Sequence, residues 1–360
     1  MKNIISFTLS FLCFGLLACT KPTNQTETPT AETQATSGSK TVNLAIWGAY
    51  ITPEILAEFE KETGLKVTES NYTSNEELLA KLQAGASGYD VAVPSDYMVK
   101  VMAELKLLQT LDVAKIANAQ KIDPAMRGRA FDPDNSYSLP LSWGTTGIAY
   151  NTKSIKTPIK GWKDLFENKA LTGKFTFLDD VRETLGAALK REALSLNSTN
   201  SADLAKAKTT LIGAKKRLKS FNSEVLDGLV AGEMAVAHAF SCDALQAQMK
   251  TQGAIQYILP EEGFTLWIDN LVIPQGAQNV EGAHKLINFL LSAKVGADRA
   301  QRLFSAPTNI ESIALLPKEI RDNKALFPEP ETLKRAEMMQ DLGDAITEWD
   351  RIWTEVKAAK

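Results

Sequence analysis

Three cysteines and two histidines in 360 residues leave little reactive chemistry to distribute. Cys13 falls inside an apolar leader and Cys19 at its end, so Cys242 alone remains for the folded body, and one thiol closes no internal disulfide. No Cys/His cluster has zinc-ligand spacing. With only His238 and His284 to draw on, a triad-type nucleophile system is poorly supplied, and no metal or cofactor is expected. A surplus of positive charge is also lacking. Forty Lys and Arg against 43 Asp and Glu give a net charge of −3, evenly mixed, which argues against nucleic acid as a partner because phosphate binding needs a basic surface. Internal repeats are absent. The longest apolar run, Ile4–Leu17, falls short of the roughly 20 residues that a membrane-spanning helix needs.

What is present begins with that run. Met1-Lys2-Asn3 is a short basic start, and Leu16-Leu17-Ala18-Cys19 resembles the bacterial lipobox. The expectation is a signal peptide over residues 1–18 and lipid attached to Cys19, which makes the membrane a partner through that anchor only. Residues 20–40 carry no large apolar side chain and cannot offset their ordering entropy, so 19–40 reads as a lipidated, disordered tether. From Thr41 about 320 residues remain, more than one core usually holds, and two lobes are expected.

Beyond the tether, strand and helix signals alternate. Thr41–Ile46 alternates as a strand into Trp47; Thr52-Pro53 opens a helix that Gly64 closes. Leu65–Glu69 is a second strand, Ser74-Asn75-Glu76-Glu77 a capping box, and Tyr89–Val93 a third strand, with Ser95 as the cap of the next segment. This order implies a mainly parallel sheet with right-handed crossovers, an α/β fold. A second series comes after it: strand Phe175–Leu178, helix Asp180–Ser195, strand Met234–Phe240, helix Asp243–Gln252, strand Phe264–Pro274 and helix Val280–Leu291. Ile346, Trp349, Ile352, Trp353 and Val356 at helical spacing predict a C-terminal packing stripe.

In open α/β sheets ligands bind beyond the carboxyl ends of the strands. Those ends carry Trp47-Gly48-Ala49-Tyr50, Pro94-Ser95-Asp96-Tyr97, Asp179-Asp180-Val181-Arg182-Glu183, Ser241-Cys242-Asp243 and Trp267-Ile268-Asp269. Carboxylates and aromatic rings recur there, with only Arg182 of opposite sign. The combination suits an elongated organic cation: carboxylates pair with each ammonium, while ring faces attract the charge and cover the methylenes between. Structural readings compete at every position. Trp47 and Tyr50 fit strand-end packing, Ser95 and Asp96 fit helix caps, and Asp179 and Asp180 fit charges on a helix dipole. Glu183 lies one turn beyond Asp180, so the two can serve one ammonium. Arg182 reads as a structural partner of Asp179, His238 as a satisfied core histidine, and Cys242 as a small residue near the cleft.

The stretches Trp47–Tyr50, Val93-Pro94-Ser95, Trp143-Gly144, Asp179–Glu183, Trp267-Ile268-Asp269 and Lys285–Leu291, in this order and spacing, resemble the bacterial periplasmic spermidine/putrescine-binding proteins of the type II periplasmic-binding fold. The resemblance covers the chain from about residue 41 to its end. It implies two lobes, 41–145 with 268–313 and 146–267 with 314–360, with the ligand between them. The crossings at Trp143–Thr146 and Asp269–Pro274 would flex on closure. It also implies a monomer that hands a polyamine, spermidine or putrescine, to the permease and ATPase of an ABC importer, without catalysis, from the periplasm or cell surface. By the same resemblance Trp47 and Tyr50 line the first-lobe wall, and Ser95 and Tyr97 hydrogen-bond or stack on the ligand. Asp180 and Glu183 bind an amine, Trp267 stacks on the methylenes, and Asp269 binds a central or terminal amine. Asp96, Phe240, Asp243 and Gln340 complete the expected ligand set.

Four positions depart from the spermidine-binding pattern. Phe240 stands where a tryptophan is expected and Gly48 where a polar residue is. Met339 takes the place of a terminal glutamine, with Gln340 as its substitute after a one-residue shift. Asp243 stands where putrescine-preferring relatives carry an aspartate and spermidine-preferring ones a serine. Three alternatives remain open: a binder of another small cation, a polyamine-sensing surface protein without transport, and a glycoside hydrolase using Asp180 with Glu183 or Asp269.

Overall fold

The computed structural model describes residues 39–85 and 88–359. The expected signal peptide at 1–18, the lipid site Cys19 and nearly all of the 19–40 tether lie outside the described residues. No helix among the described residues is long and apolar enough to cross a membrane.

The described strands are β1 (Thr41–Trp47), β2 (Lys66–Tyr72), β3 (Val91–Ala92), β4 (Ser138–Asn151), β5 (Phe175–Phe177), β6 (Ser220–Phe221), β7 (Val236–Phe240), β8 (Ile255–Ile258), β9 (Phe264–Val272), β10 (Ala306–Pro307) and β11 (Ala336–Met338). They join in one mixed sheet with the path β2-β1-β3-β9-β4-β7-β5-β6, while β8 and β10 pair with β4 and β11 pairs with β9. β1 runs parallel to both β2 and β3, as the strand–helix–strand alternation predicts. β5 is parallel to β6 and β7 in the second series.

Local chemistry sets the helix ends. In α1 (Pro53–Thr63) Pro53 stands at the first position, and Gly64, at φ +71°, ends the helix by donating its N–H to the Glu60 carbonyl. In α2 (Asn75–Gln83) the Ser74 hydroxyl accepts from the Glu77 N–H at 3.1 Å. The Glu77 carboxylate does not return to Ser74 but to the Thr73 N–H (2.8 Å), so the predicted box is displaced by one residue on one side. Next along the chain are α3 (Asp96–Glu104), α4 (Trp162–Glu167) and α5 (Val181–Arg191). After them come α6 (Ser201–Lys215), α7 (Leu226–Ala231), α8 (Ser241–Lys250), α9 (Val280–Leu290) and α10 (Ala293–Leu303).

Several elements go beyond the sequence expectation, α4, α7, α10, β6, β8, β10 and β11 among them, and the two longest are β4 and α6. β4 is 14 residues long, although the sequence marks only Trp143–Thr146 as a crossing. Its Pro140 sits at the register shift between Pro140 and Ser142, where a residue without an N–H costs the ladder least. α6, capped by Asn200, has no counterpart among the predicted elements; it buries Leu204, Ala207, Leu211 and Ala214 along one face.

β4 and β9 pair antiparallel over most of their length and connect two apolar cores. The first packs β1 and α1 (Leu44, Ile46, Phe59) against α9 (Leu286, Ile287) and receives Leu139, Leu141 and Leu271 from the crossing strands. The second packs α4, β5 and α5 (Trp162, Phe175, Leu185) against the C-terminal helix Ile346–Ala358, and receives Ile148 and Tyr150 from the far end of β4. The C-terminal stripe is packing, as its periodicity predicts: Trp349, Ile352 and Val356 are all buried. Two apolar cores joined by the paired crossing strands make a two-lobed α/β arrangement.

Candidate functional site

A cavity of about 410 Å³ opens beside the crossing strands and takes its lining from elements on both sides of them. Trp47 ends β1 and the loop after it supplies Tyr50, the start of α3 supplies Ser95, Asp96 and Tyr97, and the start of α5 supplies Asp180 and Glu183. Phe240 ends β7, Asp243 begins α8, and Trp267 and Asp269 stand on β9. All eleven of these predicted residues therefore face one space. The strand-end rule accounts for the residues that follow β1, β3, β5 and β7, whereas Trp267 and Asp269 lie within β9, which runs antiparallel to β3 and β4 and passes beside the cavity.

Seven carboxylates line the cavity, those of Asp96, Asp180, Glu183, Glu224, Asp227, Asp243 and Asp269, and none of its described lining residues is Lys, Arg or His. Asp269 is the most tightly held. Its Oδ2 accepts the Tyr50 hydroxyl at 2.5 Å and its Oδ1 accepts the Ser95 hydroxyl at 2.8 Å. The Tyr50 hydroxyl also meets Ser142 Oγ at 2.6 Å. Ser95 thus stands at the N-cap of α3, but its side chain serves β9 instead of the helix. Burial lifts the Asp269 carboxyl to about 6, against the lowering effect of Tyr50, Ser95 and Arg299. Glu183 is pushed further, to about 8, by burial and by the charge of Asp180. Its oxygens accept from Thr146 Oγ1 (2.8 Å) and Thr265 Oγ1 (2.9 Å), one on each crossing strand.

Asp243 differs from both. Burial raises it to about 7, and no protein group among the described residues donates to its carboxylate within hydrogen-bond distance. Asp96, also raised to about 7 chiefly by burial, spends its oxygens on backbone, taking the Tyr97 N–H at 2.7 Å and the Ile268 N–H at 3.3 Å. It fixes α3 to β9 while facing the cavity. Asp180 caps α5 by accepting the Glu183 N–H at 2.9 Å, so the cap and the cavity-lining roles coincide.

The aromatic groups are arranged as a wall. The Trp47 and Tyr72 rings lie 4.7 Å apart, and Phe240 meets Trp267 edge-on at 6.4 Å. Trp267 is pressed against Gly144 on β4, where a Cβ would fall 2.3 Å from the indole ring. A ring can lie that close to a strand only because the facing residue has no side chain.

Three expectations need correction. Gln340 is exposed and outside the cavity lining; its carbonyl accepts from Arg182, and Met339 is the residue that faces the cavity. The one-residue shift fails because Met339, the first residue after β11, is the one that turns inward and packs among Tyr97, Met98 and Leu196. Arg182 does not pair with Asp179. The exposed Asp179 meets Lys357 at 2.7 Å, while Arg182 turns inward and donates to Asn197 Oδ1 (3.1 Å) and the Gln340 carbonyl (3.0 Å). Its guanidinium lies between the Tyr97 and Trp349 rings, 4.9 and 5.1 Å from their centroids. His238 is a core residue, but not a satisfied one. Neither ring nitrogen has a hydrogen-bond partner, Glu183 Oε2 stands 4.0 Å from Nε2, Trp162 packs edge-on at 4.8 Å, and burial drops the pKa to about 3.

Sequence reasoning overlooked Tyr72, Asn75, Glu224 and Asp227 in the lining. It also overlooked Glu76, whose carboxylate accepts the Tyr97 hydroxyl at 3.0 Å and is lifted to about 7 by burial and then by Asp180. Glu76 sits one residue from the cap signal at Ser74 and Glu77, and that local reading concealed its tertiary one.

Two cores bridged by paired strands, with a polar, ring-walled cavity between them, define a protein that captures a small molecule. Residues 54–328 match the bacterial extracellular solute-binding proteins, and the chain belongs to that family. It is 36% identical to spermidine/putrescine-binding periplasmic protein 1 of Haemophilus influenzae over 98% of both chains. Among solved structures, a putative spermidine/putrescine ABC transporter protein of Listeria monocytogenes superposes with a TM-score of 0.86 at 35% identity, covering 89% of this chain and 100% of that one. A lipoprotein of Treponema pallidum superposes with a TM-score of 0.77 at 29% identity, covering 88% and 99%.

Proposed function

We propose that this chain captures a polyamine outside the cytoplasm and delivers it to an ABC importer. The observation that carries the reading is the cavity's charge: seven carboxylates and no cation among its described lining residues, beside indole, phenol and phenyl rings. An empty, dry cavity of that kind is costly, because each buried carboxylate must either stay hydrated or hold a proton. A slender dication or trication removes that cost while its methylenes cover the rings. An anion or an amino acid would need an arginine facing the cavity for its carboxylate, and Arg182 and Arg299 both lie behind the wall tyrosines. The names carried by the Haemophilus and Listeria relatives agree with this ligand class.

In the same reading, Asp269 binds one amine and Asp180 with Glu183 another, while Trp267 and Trp47 cover the carbon chain. Asp243, with no protein donor, waits for an ammonium of its own, which brings putrescine within range beside spermidine. The lobes would be 41–145 with 268–313 and 146–267 with 314–360, in keeping with the two separate cores. Lipidation of Cys19 would hold the body at a membrane; the Leu16–Cys19 sequence supports it, and the Treponema relative is a lipoprotein. A glycoside hydrolase is disfavoured because Glu183 and Asp269 each commit both oxygens to neighbouring hydroxyls, leaving no free acid/base pair.

Calorimetry against putrescine, cadaverine, spermidine and spermine tests the ligand class. Asp269→Asn removes one charge-assisted contact of about 1.5–3 kcal/mol, so every polyamine should bind at least about tenfold more weakly. Absence of heat with all four polyamines, or an unchanged affinity in the Asn variant, overturns the assignment.

A further inference from the structure

We infer that Arg299, which does not line the cavity, is the positioning residue for its Tyr50–Asp269 pair. The inference rests on the polyamine reading of the site and adds a residue to it. Arg299 belongs to α10 and is 1% exposed. Its guanidinium stacks on the rear of the Tyr50 ring, 4.8 Å from the centroid. Its Nε donates to the Tyr50 carbonyl at 3.3 Å and its Nη2 to Ser305 Oγ at 3.2 Å. Among the described residues no carboxylate lies within 4.0 Å of it.

A buried arginine without an ion-pair partner is unusual, because guanidinium stays charged and desolvating it is costly. The chain needs that charge somewhere specific. The negative group it addresses lies one ring away: Tyr50 receives the cation on its face and donates its hydroxyl to Asp269. Arg299, Tyr50 and Asp269 thus form a continuous line from α10, through the loop after β1, to the crossing strand β9.

The line affects the cavity in two ways. Tyr50 is clamped, since rotating its ring away would uncover the guanidinium and break the contact that aims its hydroxyl. The charge also opposes the burial of Asp269. The groups acting on that carboxylate are the hydroxyls of Tyr50 and Ser95, the neighbouring Asp96, Tyr72 and Cys242, and Arg299, the one cation acting on it. Asp243, on α8, receives no such support. A nearby opposite charge typically lowers a carboxyl pKa by about 1–3 units. Arg299 would therefore add to the stronger lowering by the Tyr50 and Ser95 hydroxyls, and hold in place the Tyr50 hydroxyl that supplies part of it, so that Asp269 is ionised and ready for an ammonium at pH values where Asp243 still carries a proton.

The ligand-free protein tests this first. With ¹³C-labelled aspartate, the Asp269 carboxyl should titrate below that of Asp243; a midpoint at or above that of Asp243 overturns the inference, whatever the protein binds. The second arm compares Arg299→Met and Arg299→Lys. In the Met variant the Asp269 midpoint should move up toward that of Asp243, and spermidine affinity should fall off several-fold further between pH 7 and 6 than it does in the parent. In the Lys variant both should stay near the parent values, while affinity drops a few-fold because the stack is lost. A Met variant whose pH profile superimposes on the parent overturns the inference. If the Met variant does not fold, Arg299→Gln, which keeps donors toward the Tyr50 carbonyl and Ser305 without the charge, takes its place and should raise the Asp269 midpoint in the same way; an unchanged midpoint overturns the inference. Failure of the parent protein to bind any polyamine would instead overturn the ligand assignment and leave the titration result standing.

Discussion

Ligand binding should expel protons. In the empty cavity Glu183 titrates near 8, Asp243 near 7 and Asp269 near 6, each raised chiefly by burial. At pH 7 about nine-tenths of Glu183, half of Asp243 and a tenth of Asp269 are then protonated. An alkylammonium, with a pKa near 10 as in lysine, keeps its own protons and forces the acids it touches to give theirs up. If all three pair with ligand, about one and a half protons leave per polyamine bound at pH 7. The sign comes from the upward shifts: affinity is weak where the acids are protonated, rises with pH, and levels off above about pH 9, once Glu183 is ionised. By linkage, a release of one and a half protons makes affinity climb roughly thirtyfold per pH unit around pH 7. Calorimetry at pH 7 in buffers of different ionisation enthalpy reads the proton number directly, and the slope of log Kd against pH reads it independently. A release below about 0.3 protons, with affinity flat from pH 6 to 8, would refute the reasoning, because the acids would then be ionised before the ligand arrives.

The same geometry leads to two further outcomes. Asp243→Ser should cost putrescine more affinity than spermidine, measured by calorimetry, because the unpartnered carboxylate favours a closely held terminal amine; equal losses would remove the case for putrescine. Gly144→Ala would place a Cβ 2.3 Å from the Trp267 ring and 2.8 Å from Ser241 Oγ. It should lower stability by about 1–3 kcal/mol in denaturant titrations and weaken polyamine binding at least tenfold; unchanged affinity would mean that the Trp267 ring is not a contact surface.

The sequence displayed the cavity better than the molecule around it. Strand ends are marked by local signals, such as Trp47 after an alternating run or Ser95 before a helix, and the sheet geometry then brings those ends together without further information. Only Trp143–Thr146 of β4 was legible, and the strand also contains Pro140, Gly144 and Gly147, residue types that strands disfavour. Their reasons are tertiary: a register shift at Pro140, the Trp267 ring over Gly144, and the Ile258 carbonyl 2.4 Å from a Cβ at Gly147. Nearness along the chain favours Asp179 as the partner of Arg182, yet the helix turns the long arginine side chain inward to two rings and turns Asp179 outward to Lys357. Arg299 left no local trace at all, since its counterpart Asp269 reaches it only through Tyr50. The choice between Met339 and Gln340 depended on a single residue of register at the end of β11, which no periodicity fixes.

The crossing pair β4 and β9 has a mechanical consequence. Two hydrogen-bonded strands form a ribbon, stiff against sliding in its own plane and compliant to twist and to bending out of it. If the halves of the molecule move, the ribbon leaves them little more than one rotational freedom, and the same few residues that bend carry Trp143, Trp267 and Asp269. A guest that grips those side chains therefore changes the compliance of that joint, and the shape presented to a membrane partner becomes a narrow distribution instead of a broad one.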